Sequence, residues 1–390
     1  MHSDDGEYRL DEKFSAGNAS PPAVLAELLA PADVRINGSR PWDIQARDRR
    51  LFDAVLTRGS LGFGESYMAG DWECHDLSGL MSRILRARID EQPLGWARVH
   101  LLLHHLRARV MNLQSSDRAF QVGERHYDIG NDLYRAMLDS NWCYSCGYWA
   151  EADDLETAQR AKLDLICRKL ALEPGMEVLE VGCGWGSLAA HMARHHGVRV
   201  HGITISREQA VIARQRCEGL PVEIELVDYR DVKGKYDRVV SVGMFEHVGH
   251  KNYAAYFSTL AECVASDGLF LLHTIGTDSE RRGVDPWIDR YIFPNGELPS
   301  LPRLVGACKR RFHIEDLHNF GTDYDRTLMA WWENFRTAWP QLREHYDERF
   351  YRMWRYYLMS CAGFFRAKRG QLWQIVLAPH GSRRVYRSVR

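Results

Sequence analysis

Residues 177–186, Glu-Val-Leu-Glu-Val-Gly-Cys-Gly-Trp-Gly, constrain the fold of this chain more than any other stretch. The apolar-rich half reads as a buried strand, and Gly182, Gly184 and Gly186 read as the turn that ends it. Glycine turns the backbone sharply and lets a ligand lie almost against the main chain. A helix starting after such a turn points its free amides, and the positive end of its dipole, into the gap. In doubly wound α/β folds this place, at the carboxyl end of a parallel strand, is where nucleosides bind. The spacing is Gly-x-Gly-x-Gly, not the Gly-x-Gly-x-x-Gly of a dinucleotide site.

The surrounding pattern fits that frame. Leu155–Leu170 predicts a helix with Leu163, Ile166 and Leu170 on one face, broken by Pro174-Gly175. Strands are predicted over 177–181, 198–203, 222–227, 238–242 and 269–275 with helices between them, and a closing strand over 371–377 after aromatic-rich helices (Trp331, Trp332, Phe335, Phe364, Phe365). The alternation predicts a mostly parallel sheet covered on both faces. Four stretches are expected: a loose tail over 1–20, a small mixed α/β domain over 21–113, a polar linker over 114–124 and a main domain over 125–390. Residues 63–72, rich in glycine and aromatics, read as a structured turn, and 81–113 as a helix with a break at Pro93. That helix carries Arg83, Arg86, Arg88, Arg98, Arg107 and Arg109 among leucines. It is either a solvated face or a basic surface for anionic lipid head groups.

Bulk properties exclude several classes. An apolar fraction of 45% over 390 residues supplies ample core. A formal net charge of −1 gives nucleic acid no electrostatic footprint. No apolar run reaches the length of a membrane span, and the acidic start (Asp4, Asp5, Glu7) is unlike a secretory signal. The nine cysteines are scattered and several sit in apolar segments, which suits reduced thiols in a cytosolic protein. Cys143 and Cys146 form a Cys-x-x-Cys without a second pair, so no metal is expected there.

After the second predicted strand comes Thr204-Ile-Ser-Arg-Glu-Gln209, in which Ser206 and Gln209 have the spacing of a capping box. Such a cap would also place Thr204 and Gln209 at the ligand edge of the sheet. Gly202-Ile203-Thr204 lacks the acidic residue that holds a ribose in NAD sites, which counts against NAD and departs from the general methyltransferase pattern. Asp228-Tyr229-Arg230 ends the next strand, where an adenine contact is expected.

With Glu180 two residues ahead of Gly182, the turn resembles motif I of S-adenosylmethionine-dependent methyltransferases. The chain as a whole resembles the two-domain bacterial cyclopropane-fatty-acid synthases, most strongly from about Arg125 onward. The matching segments are 126–134 (His-Tyr-Asp-Ile-Gly-Asn-Asp-Leu-Tyr), 144–149 (Tyr-Ser-Cys-Gly-Tyr-Trp), 181–186, 202–206, 242–249 (Val-Gly-Met-Phe-Glu-His-Val-Gly), 271–276 (Leu-Leu-His-Thr-Ile-Gly), 291–296 (Tyr-Ile-Phe-Pro-Asn-Gly), Trp331-Trp332 and Trp339-Pro340.

The resemblance implies a class I methyltransferase domain with a seven-stranded sheet, behind a smaller N-terminal domain. It implies methylene transfer from S-adenosylmethionine to a cis double bond of a phospholipid acyl chain, with a bound bicarbonate ion as the base. The bicarbonate ligands by match are Cys146, Glu246, His273, the backbone of Ile275, and Tyr324. The cofactor contacts by match are Tyr144, Ser145, Gly182, Gly184, Thr204, Gln209, Tyr229 and Arg230. Glu246 and His273 are both expected just after core strands. A homodimer is implied, in a cytoplasmic protein peripherally associated with the inner face of the cell membrane. The arginines before the linker and Arg383, Arg384, Arg387 and Arg390 are the residues expected to meet the lipid.

Taken singly, each site residue has a plainer role: Glu246 as a helix cap, His247 beside it as a surface histidine, His273 as a satisfied core histidine, Cys146 as a small apolar residue, Tyr324 as a packing aromatic. One shared site accounts for all of the matched residues together. The rival activities are a lipid methyltransferase that leaves a methyl branch, a small-molecule N-methyltransferase, and a lipid-binding module without catalysis. An amine nucleophile needs no such base, so the set Cys146, Glu246, His273 and Tyr324 counts against the second.

Overall fold

Two short strands, β1 (Gln45–Ala46) and β2 (Trp72–Glu73), form an antiparallel ladder near the N-terminal end of the computed structural model, which describes residues 21–91, 130–279 and 283–390. The main sheet is built from β3 (Glu177–Val181), β4 (Arg199–Thr204), β5 (Val222–Leu226), β6 (Tyr236–Val242), β7 (Val264–Thr277), β8 (Phe312–Asn319) and β9 (Gly370–Pro379). Its order is β5-β4-β3-β6-β7-β9-β8. The first five in that order run parallel, and β9 is antiparallel to both of its neighbours. In central β3 the residues Val178 to Val181 are all buried, because helices cover both faces. The chain progresses outward in opposite directions from β3 toward β4 and toward β6. That reversal leaves a crevice at the carboxyl ends of β3 and β6.

Six of the seven strands follow the apolar pattern of the sequence. β8, absent from the sequence reading, is an edge strand of mostly polar residues, and a bulge between Ile314 and Asp316 breaks its alternation. β7 is longer than expected and contains His273 within the strand, paired with Gln374, rather than after it.

The N-terminal helices are α1 (Ala23–Leu29), α2 (Arg50–Met68) and α3 (Leu77–Arg86). The stretch 63–72 is not a turn up to Met68: it is the last part of α2, which kinks earlier, at Gly59 (φ 57°). Its glycines serve close packing. A Cβ on Gly62 would lie 2.0 Å from the Ala54 carbonyl oxygen, and one on Gly64 would lie 2.4 Å from the Trp287 ring. Of the helix expected over 81–113, the described part is α3, which starts earlier, at Leu77, capped by Asp76 (2.8 Å to the Gly79 amide), and ends at Arg86; residues 92–113 lie outside the described residues. Gly79 hid that start, yet a Cβ there would strike the Asp76 carboxylate. Arg98, Arg107, Arg109, the tail over 1–20 and the linker lie outside the described residues.

Downstream helices are α4 (Asn131–Met137), α5 (Leu155–Lys169), α6 (Ser187–His196), α7 (Arg207–Arg216), α8 (Tyr253–Cys263), α9 (Pro286–Tyr291), α10 (Leu301–Cys308), α11 (Asp323–Leu342) and α12 (Glu348–Arg366). α12 packs so closely on α3 that a Cβ on Gly363 would lie 2.6 Å from the Met81 Cβ. One aromatic-rich core runs from these N-terminal helices through α11 and α12 to Cys146, Trp185 and Tyr324. Several of the arginines expected at the lipid have partners within the chain. Arg83 stacks on Trp42 (3.8 Å), Arg86 reaches the Arg366 carbonyl (3.0 Å), Arg384 reaches the Asp267 carbonyl (3.1 Å), and Arg390 binds Asp316 through both terminal nitrogens.

Candidate functional site

The glycine turn sits where the strand order reverses. The Gly182 and Cys183 amides both donate to the Ile203 carbonyl at the end of β4 (3.0 and 2.9 Å), which pins the turn to the neighbouring strand. Gly182, Gly184 and Gly186 have φ of +84°, +53° and +80°, the left-handed region that glycine enters without penalty. A Cβ on Gly182 would press on Met244 at 2.9 Å, whereas one on Gly184 would meet nothing within 4 Å. Gly184 therefore faces the open crevice, and α6 starts immediately behind it.

All eight residues matched to cofactor contacts line this crevice. Ser206 caps α7 as its spacing predicts, accepting from the Gln209 amide at 3.3 Å. The Gln209 side chain, however, does not close the box on the Ser206 amide. That amide donates to Thr204 Oγ1 (3.2 Å), and the Thr204 hydroxyl donates to Gln209 Oε1 (3.1 Å). Arg230 folds back onto Asp228 (2.9 Å) and lies 4.7 Å over the Tyr229 ring. Tyr144 and Ser145 form the opposite wall. The Tyr144 and Tyr357 hydroxyls are 2.8 Å apart, and Ser145 Oγ accepts from Lys162 Nζ at 3.0 Å.

A second, more deeply buried group lies beside it. Glu246 follows β6 in a single 3₁₀ turn (Phe245–His247) and accepts the Ile275 amide through Oε1 at 2.7 Å. It is therefore bonded to β7 and not a helix cap. Its buried Oε2 makes no hydrogen bond among the described residues, since the nearby Thr274 hydroxyl donates to the Ile275 carbonyl (3.1 Å); burial pushes the carboxyl up to about 7 against the lowering by the Ile275 amide and Thr274. His273 and Ile275 alternate on β7 and share a face. His273 Nδ1 accepts from Gln374 Nε2 (3.2 Å), which leaves the ring proton on Nε2. That Nε2 is buried and has no partner among the described residues, and burial holds the imidazole neutral, well below its ordinary range. Phe320 lies edge-on to His273 (5.8 Å) and belongs to the same core as Cys146 and Tyr324. Tyr324 stacks on Phe365 at 4.5 Å, and its electrostatic neighbours include Cys146, Glu246 and Tyr144. Glu246 is thus tied to Ile275, Tyr324 has Cys146 and Glu246 as electrostatic neighbours, and the His273 carbonyl accepts from the amide of Gly243 in the crevice (3.0 Å).

The model of the mycolic acid cyclopropane synthetase family matches residues 114–375. The cyclopropane-fatty-acyl-phospholipid synthase of Escherichia coli K12 is 53% identical over 362 residues, covering 91% of this chain and 92% of that one.

The chain belongs to the cyclopropane synthase family.

As a member of it, the protein is an S-adenosylmethionine-dependent methyltransferase, and its sheet is the class I methyltransferase sheet. A tuberculostearic acid methyltransferase of Mycobacterium tuberculosis is 35% identical, over 84% of this chain and 82% of its own. Among solved structures, mycolic acid cyclopropane synthase CmaA1 in complex with S-adenosylhomocysteine and CTAB superposes with a TM-score of 0.61 at 32% identity, covering 66% of this chain and 97% of that one.

Other polar residues in or beside the crevice of this family member escaped the sequence reading. Lys162 and Gln159 are buried polar residues one turn apart on α5, and their i, i+3 spacing on the apolar face was the available signal. Gln159 Nε2 donates to the Ser145 carbonyl at 2.8 Å. Glu180, noted only as part of the turn, is buried, faces the charge of Lys162 and is pushed up to about 8. Half-buried His247 also lines the crevice and is driven down to about 4 by burial, so it is not the surface histidine of the plainer reading. Cys143 and Cys146 pack into different cores.

One hydroxyl joins two donors of segment 144–149 to α11. Thr327 Oγ1 accepts from the Gly147 amide (3.1 Å) and Trp149 Nε1 (2.8 Å) and donates to the Asp323 carbonyl (3.0 Å). Thr327→Val keeps the shape but strands two buried donors, so it is expected to cost about 1–3 kcal/mol for each. A urea titration of the variant against the wild type checks this, and an unchanged midpoint contradicts it.

Proposed function

We propose that this enzyme transfers a methylene group from S-adenosylmethionine to the cis double bond of an unsaturated acyl chain in a membrane phospholipid, closing a cyclopropane ring. The observation that carries this reading is that Glu246 Oε2, just after β6, and His273 Nε2, on neighbouring β7, are both buried without a partner among the described residues, where the amide of crevice residue Gly243 donates to the His273 carbonyl. A neutral amine attacks the sulfonium methyl without a bound anion to take a proton from that methyl. An alkene attacks the sulfonium methyl without help from a base, and the lipid chain is left with a positive charge. Ring closure then needs one proton removed from the added methyl.

Cys146, Glu246, His273, the Ile275 backbone and Tyr324 would hold bicarbonate, which when bound supplies the base. Glu246, part-protonated near neutrality, can donate from Oε2 to an anion, and neutral His273 can donate from Nε2. Tyr324, Phe365, Tyr144 and Trp331 present ring faces to a cation and keep out the water that would quench it. Tyr144, Ser145, Gly182, Gly184, Thr204, Gln209, Tyr229 and Arg230 would hold the methyl donor.

The lipid is met at a membrane surface, because the acyl chains of a phospholipid lie in the bilayer; no described helix is long and apolar enough to cross one. In this reading residues 21–113 form a small domain serving lipid or dimer contact, 114–124 a linker and 125–390 the catalytic domain of a homodimer at the inner face of the membrane. The test is mass spectrometry of fatty acids after incubation with S-adenosylmethionine and liposomes of cis-unsaturated phospholipid. A gain of one CH₂ with loss of the double bond supports the ring. The same gain with a double bond retained and shifted supports methyl branching. No gain contradicts both.

A further inference from the structure

Outside the residues that line the crevice, α5 and α6 bring together a second set of reactive side chains. Cys167 of α5 and His191 and His196 of α6 each offer one ligand atom, and these atoms all lie within 4.8 Å of one another. Asp164, three residues before Cys167, places Oδ1 2.8 Å from His191 Nε2. The His195 ring lies 4.6 Å from that of His191.

The plainer account is that histidines at the end of α6 serve its dipole as cations. His191 does not fit it, because it lies before the last turn of α6 with Nε2 2.8 Å from Asp164 Oδ1. Neutral imidazole is the form that ligates a metal. His191 and His196 are half-buried beside a fully buried thiol, so two nitrogens and a sulfur converge at the edge of a packed core. Donors around a tetrahedral Zn²⁺ are about 3.3–3.6 Å apart, given metal–ligand distances near 2.0–2.3 Å. Small side-chain rotations within the observed cluster reach that spacing.

We propose that Cys167, His191 and His196 form a binding site for a thiophilic divalent transition metal of the Zn²⁺ type. On binding, the Cys167 thiol gives its proton to solvent and a sulfur–metal bond forms; both imidazoles bind as neutral rings, and water completes the tetrahedron. Asp164 acts as the carboxylate that orients His191. No oxidation or reduction is involved. The site clasps α5 to α6. Cys167 lies one turn past Leu163 and His191 one turn past Leu188, both of which line the cofactor crevice. Bound metal therefore stiffens two walls of that crevice. The sequence hid the site because its ligands come from two helices and Cys167 belongs to no Cys-x-x-Cys.

The test uses the full-length protein with Co²⁺ as a spectroscopic probe and Zn²⁺ as competitor. The expected result is one equivalent of Co²⁺ giving a thiolate charge-transfer band with tetrahedral visible bands, bleached by Zn²⁺. Cys167→Ser abolishes the thiolate band, and His196→Gln weakens Co²⁺ binding by at least about tenfold. His196 is at the half-buried end of its helix, so that variant decides the matter if Cys167→Ser fails to fold. A wild type without the thiolate band, a Cys167→Ser protein that retains it, or a His196→Gln protein with unchanged affinity overturns the proposal.

Discussion

Glu246→Gln is expected to lower product formation by about 10²–10⁴-fold, the range for loss of a positioned acid–base group, while the affinity for S-adenosylmethionine stays that of the wild type. Glutamine has the same shape and can still accept the Ile275 amide, so the strand contact survives. What it removes is the ionisable carboxyl that, in the proposed function, helps to hold the bicarbonate base. The cofactor crevice does not include Glu246 among its lining residues, which is why binding and turnover should separate. Isothermal titration with the cofactor, together with a turnover assay, checks the split. Near-full activity in the variant contradicts the role.

The same residue sets a pH dependence of stability. Burial raises the folded-state value from 4.5 to about 7, so between those values the folded chain holds a proton that the unfolded chain has lost. Stability from this group is full below pH 4.5 and falls as pH rises through 7, by about 3 kcal/mol in all at 1.36 kcal/mol per pH unit. Glu180, raised to about 8, adds a loss of the same sign at higher pH. Urea unfolding of the Glu246→Gln protein at pH 5 and pH 8 should therefore show a smaller decline than the wild type. An equal decline contradicts the assignment.

Gly184→Val is expected to weaken cofactor binding by at least about 10²-fold, equivalent to about 3 kcal/mol. The backbone there has φ +53°, which costs a residue with a Cβ about 1–2 kcal/mol, and β-branched valine tolerates it least. Nothing in the fold lies within 4 Å of the new Cβ, so packing does not resist it. The methyls project into the crevice where the cofactor has to approach the main chain. Gly182→Ala is the contrast. Its Cβ strikes Met244 at 2.9 Å, so it should lower the melting temperature as well as affinity. Titration calorimetry and thermal melts of the two variants separate these effects, and a Gly184→Val protein with wild-type affinity contradicts the placement of the cofactor.

The parts of the fold legible in the sequence are those where local chemistry and tertiary role agree. The runs at β3, β4 and β6 are apolar because both of their faces are covered, and Asp154 and Ser206 cap helices where helical periodicity begins. β8 was not legible because an edge strand needs only one apolar face, and its bulge breaks even that. The end of α2 was misread because Gly62 and Gly64 look like turn residues when their task is to admit Ala54 and Trp287. In the site, the glycine turn announces itself through spacing. Lys162 does not, because a buried lysine on an apolar helix face is recognisable only once Ser145 and Glu180 are seen opposite it.

The most direct test of the account is the fate of the methyl hydrogens. Incubated with S-adenosylmethionine carrying a CD₃ group and liposomes of cis-unsaturated phospholipid, the wild type should yield acyl chains that gain CD₂ and lose the double bond. One deuteron is then lost at the buried centre as the ring closes, and Glu246→Gln should make far less of the same product. Acyl chains that retain all three deuterons, or CD₂ product formed equally well by the Glu246→Gln protein, would contradict the assignment of that centre to proton removal.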